Sequence, residues 1–130
     1  MTDQPGMLVI AGLEVAAALG IVAFWLTWFR EPHDEEWLPA GYIQHERVFV
    51  FPDAVLALLL LISAGLLATG QPLGPSLSLV CAGMLAFLGV IDAAYFWQTD
   101  LFSRGKGGLV NAAVVLAVLV LSVVLVLAFA

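Results

Sequence analysis

The sequence predicts an all-α integral membrane protein: an up-down bundle of four transmembrane helices forming a single domain over residues 1–130. Three observations carry this prediction. Hydrophobic residues make up 63% of the chain and charged residues 11%, whereas an ordinary soluble domain is about 45–50% apolar and about 25% charged. The apolar residues gather into four stretches of about 20, the length a helix needs to cross the hydrocarbon of a bilayer. None of these stretches alternates apolar with polar residues as a transmembrane strand does. In lipid a helix satisfies its own backbone, which overrides the weak helix propensity of the many valines.

The first span runs over residues 7–29 and carries one charge, Glu14. The second covers 48–69, with Pro52 and Asp53 near its start. The third covers 77–97 and is interrupted by Asp92. The fourth, 109–130, is almost wholly Val, Leu and Ala. The connections differ in kind: a charged loop at 30–47, a tight turn in GQPLGPS at 70–76 and a short glycine-rich segment at 99–108. Gly and Pro supply the bends, and short connections make successive helices antiparallel neighbours. The residues from Trp37 to Phe51 mix aromatic and charged side chains and are expected to lie on the membrane surface before the second span descends.

All four basic residues, Arg30, Arg47, Arg104 and Lys106, fall in the first and third connections. Basic residues flanking spans stay on the cytoplasmic side, so those loops are expected to be cytoplasmic and both termini outside. Aromatic residues crowd the same boundary, among them Trp25, Trp28, Phe49, Tyr95 and Trp97, as rings do at the headgroup level. The N-terminus has no basic residue and the first apolar stretch is too long for a signal peptide, so the first span is expected to be retained. An acidic chain of pI about 4.4 suits a prokaryotic inner membrane.

Composition also excludes functions. Four Lys and Arg against ten Asp and Glu cannot neutralise a phosphate backbone, which argues against nucleic acid. A single cysteine, Cys81, provides neither a disulfide framework nor a cysteine metal site. His33 with Asp34, Glu35 and Glu36, and His45 with Glu46, match no defined metal motif. No metal and no cofactor is expected.

What remains are ionisable groups inside spans, which are costly and face a bundle interior or a water-filled cavity. Glu14 shares a helical face with Ala11, Ala18, Ile21 and Trp25. It is a candidate proton or cation site, or else a neutral acid bonded to Ser78, Ser122 or a backbone carbonyl. Asp92 belongs to no helix N-terminus, and facing lipid it would cost up to about 3 kcal/mol. Asp53, Asp92, Tyr95 and Asn111 are therefore expected to converge on one polar pocket at the cytoplasmic end, with His45 or Glu46 above them. Asp53 also suits the first turn of a helix, and Asn111 a cap after the glycines. Along the membrane normal Glu14 and Asp92 are about 15 Å apart, too far to act as one catalytic pair. Gly12, Ala16 and Gly20 form a stripe of small residues, and Gly89 with Ala93 a shorter one. Such stripes allow close helix contact, either between the first and third spans or across a homodimer.

Four spans with a glutamate early in the first, here Leu13-Glu14-Val15, resemble the small multidrug resistance transporters, in which that glutamate binds substrate and protons in turn. The likeness covers the first span and the span count. The long first loop, the third span and Asp92 depart from that pattern, so no residue is carried over. The expected function is a non-enzymatic membrane module that sits among membrane lipids and either binds a lipid or lipophilic small molecule or serves as a subunit alongside another membrane protein. The alternative is a membrane-embedded enzyme or proton-coupled carrier using intramembrane carboxylates.

Overall fold

The computed structural model describes residues 3–33, 38–103 and 105–130. Asp34, Glu35, Glu36, Trp37 and Arg104, all used in the sequence reading, lie outside the described residues. Five α-helices and a 3-10 turn build the chain: α1 Gln4–Arg30, α2 Tyr42–Val48, α3 Val50–Ala68, α4 Leu73–Gln98, the turn Leu101–Ser103 and α5 Gly105–Phe129. Four helical segments are long and apolar enough to cross a membrane, with α2 and α3 together making the second.

Three helices start earlier than their apolar stretches. α1 begins at Gln4 rather than residue 7, because Asp3 accepts a hydrogen bond from the Gly6 amide at 2.9 Å and Pro5 occupies the first turn. α4 begins at Leu73 rather than 77. The turn before it is a compact helix ending in which Gly70 takes φ +70°, its amide bonding Leu67 O and the Gln71 amide bonding Leu66 O. α5 begins at Gly105 rather than 109. The surface segment expected from Trp37 to Phe51 is, in its described part, α2 followed at once by α3. The two helices share Phe49 as cap, with helical φ and ψ there. Pro52 explains the break: it has no amide to give Val48 O, four residues earlier, and its ring clashes with that carbonyl.

Each span buries a seam spaced alternately three and four residues apart, the spacing of left-handed helix packing. In α1 the seam is Ala11, Glu14, Ala18, Ile21, Trp25 and Trp28. In α3 it is Asp53, Leu56, Leu60, Ser63 and Leu67. In α4 it passes through Ser78, Cys81, Leu85, Leu88 and Asp92, and in α5 through Asn111, Val115, Val118, Ser122 and Leu125. Leu8, Val9, Leu58, Phe87 and Leu127 point outward, as lipid-facing residues should. α1 packs along α3, α3 against α4 and α4 along α5, whereas α1 and α5 scarcely meet. The bundle is thus closed least between its first and last helices.

Within the chain, this arrangement corrects the expected contact of the first-span stripe with the third span. Gly12, Ala16 and Gly20 are exposed, and nothing lies within 4 Å of where a Cβ on Gly12 or Gly20 would sit. They face away from α3 and α4 because the seam through Glu14 turns inward, and the two faces of one helix cannot both be buried in this bundle. Gly89 does make a close contact, but with α5: a Cβ there would lie 2.8 Å from Leu119 Cδ2. A second close approach, not expected, is at Gly74, where a Cβ would lie 2.9 Å from the Leu67 backbone nitrogen.

Candidate functional site

Two polar layers cross the bundle, one towards the end that holds the α3–α4 turn and one towards the end where α2 meets α3. In the first layer Glu14 is fully buried at 0% exposure. Ser63 Oγ lies 3.1 and 3.0 Å from its two carboxyl oxygens, Ser78 Oγ lies 3.0 Å from Oε2, and the two hydroxyls are 2.6 Å apart. The close approach at Gly74 brings the end of α3 and the start of α4 together here, and Ser63 Oγ is also 3.4 Å from Gly74 O. Four oxygen contacts thus link the three side chains of α1, α3 and α4. Every member of this layer is satisfied within the chain. Ser122, a further partner considered for Glu14, instead donates to Ala82 O at 2.7 Å and ties α5 to α4.

The second layer has another character. Trp25 Nε1 donates to Asp53 Oδ2 at 2.9 Å, joining α1 to the first turn of α3. Glu46 on α2 interacts electrostatically with Asp53, Asp92 and Tyr95, and Asp92 with Asp53, with no hydrogen bond between any of them. Glu46 is 5% exposed. The His45 and Tyr95 rings stack at 3.7 Å with 7° between their planes. Among the described residues three buried polar atoms here have no hydrogen-bond partner: His45 Nε2, Glu46 Oε1 and Tyr95 Oη. Among the described residues no Lys or Arg pairs with the three carboxyl groups, and Arg30 and Arg47 are exposed.

Of the four residues expected in one pocket, Asp53, Asp92 and Tyr95 therefore share a layer, with Tyr95 linked through His45 and Glu46. Asn111 is engaged elsewhere. It sits within α5 rather than at its start, and its Nδ2 donates to Leu101 O at 3.4 Å, pinning the 3-10 turn. Glu14 is in the other layer, so the two intramembrane acids are separate, as their spacing predicts. Among the described residues no group of His, Cys, Asp and Glu converges tightly enough to hold a metal ion. His33 is used structurally: it stacks on Trp28 at 4.3 Å, and its Nε2 lies 2.8 Å from Trp28 O.

The sequence reading did not single out Ser63, although it stands on the α3 seam with Leu56, Leu60 and Leu67. It also did not pair Trp25 with Asp53. Both were recoverable by writing each span as a three-four seam and pairing the seams antiparallel: Glu14 then falls opposite Ser63, and Trp25 opposite Asp53. The unsatisfied atom of Glu46 had no sequence signal, because it depends on how the Pro52 break sets α2 over the bundle.

The layer's apolar surroundings also differ along the bundle. One cluster, which includes Ile10, Leu60, Leu85 and Leu125, draws on all four spans. The other joins Phe96, Leu101 and Val115 to Leu38, Tyr42 and Tyr95, and includes no residue of α1. At the second polar layer α1 contributes polar contacts instead, Trp25 Nε1 to Asp53 Oδ2 and Trp28 Nε1 to the Tyr42 hydroxyl at 3.3 Å. No family model, curated protein or solved structure matches the chain, so its function is argued from these two layers.

Proposed function

We propose that the protein is a non-enzymatic membrane module whose second polar layer binds a lipophilic small molecule or lipid, head group in the layer and tail alongside the helices. The observation that carries this reading is the set of three unsatisfied buried polar atoms, on His45, Glu46 and Tyr95, beside Asp53 and Asp92. Leaving a buried polar group unpaired costs about 1–3 kcal/mol, and a chain gains by supplying a partner from outside. The weak α1–α5 contact supports lateral entry from the bilayer. A proton-coupled carrier needs an acid that exchanges ligand and proton. Glu14, enclosed by two serines, suits that role poorly, while Asp53 and Asp92 keep an acid–base alternative at the same layer.

The proposed setting is a prokaryotic inner membrane, with both termini outside and the α2–α3 end cytoplasmic. The basic residues at that end support this orientation. A periplasm-active reporter fused to the C-terminus should then give signal and a cytoplasm-active one none. For the binding function, protein purified in an uncharged maltoside should retain a stoichiometric lipid or amphiphile, and Asp92→Asn should lose it while keeping wild-type helicity. Equal retention by Asp92→Asn would refute the site.

A further inference from the structure

We infer that α2 is a hinged lid over the second polar layer, swinging about the Pro52 break so that the groups beneath it pass between burial and water. The inference rests on the binding reading above for what the lid admits, a ligand's head group, and on the fold alone for the motion.

The sequence places the hinge. Pro52 has no amide to give Val48 O, so the helical ladder is interrupted where α2 passes into α3. The junction is held by the Phe49 amide on Glu46 O at 3.0 Å and the Asp53 amide on Phe49 O at 2.9 Å. Among the described residues the backbone of α2 comes close to that of α3 and of no other helix. Side chains tie it to α1 and α4. The His45 ring stacks on Tyr95 at 3.7 Å, and Trp28 Nε1 donates to the Tyr42 hydroxyl at 3.3 Å. A hinge needs this arrangement: one junction that absorbs the change of angle, and a docked face that separates without breaking a backbone ladder.

The docked position carries a cost as well as a gain. Docking leaves Glu46 5% exposed with Oε1 unpartnered. Among the described residues His45 Nε2 beside it on α2 and Tyr95 Oη on α4 are in the same condition. Ring stacking favours closure, whereas the three orphan atoms oppose it, because each gains water as a partner when the lid lifts. The two rings that hold the lid down thus also carry two of the atoms that push it open, and the balance between the positions is small. A head group that pairs with the orphan atoms closes the lid upon itself.

The test uses the full chain in uncharged maltoside micelles, with nitroxide labels at Gln44→Cys on α2 and Gln98→Cys at the end of α4 in a Cys81→Ala background. Both labelled positions are exposed. Pulsed electron resonance should give two distance populations, one of them that of the docked α2. Pro52→Ala, which restores an amide for Val48 O, should leave one population. Tyr95→Phe keeps the stacked ring and removes one orphan atom. It should lower the ratio of open to closed at least about fivefold, the least that one buried unpaired group is worth, and Glu46→Leu should do the same. A single docked distance in the wild type overturns the lid. So does a rise in the open share in Tyr95→Phe or Glu46→Leu, since those groups would then be holding α2 down. Co-purified amphiphile with a single docked distance overturns the lid and leaves the binding function standing. Two distances in a protein that retains no amphiphile support the lid and remove the binding function.

Discussion

The two polar layers hold similar side chains in one bundle and treat them in opposite ways. Around Glu14 every oxygen has a partner from α1, α3 or α4, and the layer is enclosed. Around Glu46, Asp53 and Asp92 only the Trp25–Asp53 bond is made among the described residues, and three buried atoms there go without. A satisfied network fixes how helices pack, because each group loses its partners if a helix moves. An unsatisfied one carries a cost in the empty state that a ligand removes. The contrast separates a carboxyl whose partners are all supplied by the chain from one left short of partners, without appeal to depth or residue type.

The largest effect should come from opening the closed layer. Glu14→Ala removes the group that Ser63 and Ser78 share and leaves a void, which should cost about 2–4 kcal/mol, read as reduced resistance to unfolding in maltoside. Glu14→Gln can both donate and accept, and it should recover most of that loss. If Glu14→Ala unfolds like wild type, the layer does not hold the helices together.

Next in size is the approach that brings the serines together. Gly74→Val would drive side-chain atoms into the α3 backbone near Leu67, and overpacking of this kind costs about 1–3 kcal/mol. Gly12→Val, on the open face of α1, should cost less than about 1 kcal/mol in the same assay. Equal losses at the two positions would mean that the α1 stripe is covered, as it would be in a homodimer.

At the second layer Trp25→Phe keeps the ring and loses the bond to Asp53. A single hydrogen bond of this kind is worth about 1 kcal/mol, so stability should fall by that amount. The variant leaves the orphan atoms untouched and should still retain the co-purifying amphiphile. A collapse of the fold would place Trp25 in the same structural class as Glu14.

The architecture was legible because the spans are long runs of apolar residues, and run length is a signal that lipid makes nearly unambiguous. Element ends were less legible. The Asp3 cap, the Pro75-containing first turn of α4 and the glycines at the start of α5 extend helices into residues that hydropathy alone assigns to loops. The face of Glu14 was legible from Ala11, Ala18, Ile21 and Trp25, yet the Gly12–Ala16–Gly20 stripe lies on another face of α1 and not against its neighbours. Small residues permit close packing without requiring it, whereas an acid in lipid must turn inward. The grouping of Asp53 with Asp92 followed from depth. Asn111 did not join them, because the 3-10 turn presents a carbonyl nearer to its amide.

Thermal unfolding of Glu46→Leu, together with its content of co-purified amphiphile, tests the central distinction most directly. If the second layer is kept for a ligand, replacing its orphan acceptor with an apolar side chain should stabilise the empty protein by about 1–2 kcal/mol and abolish the retention of a co-purified amphiphile. A melting temperature lowered as far as that of Glu14→Ala would show that the two layers do the same structural work, and would contradict the account.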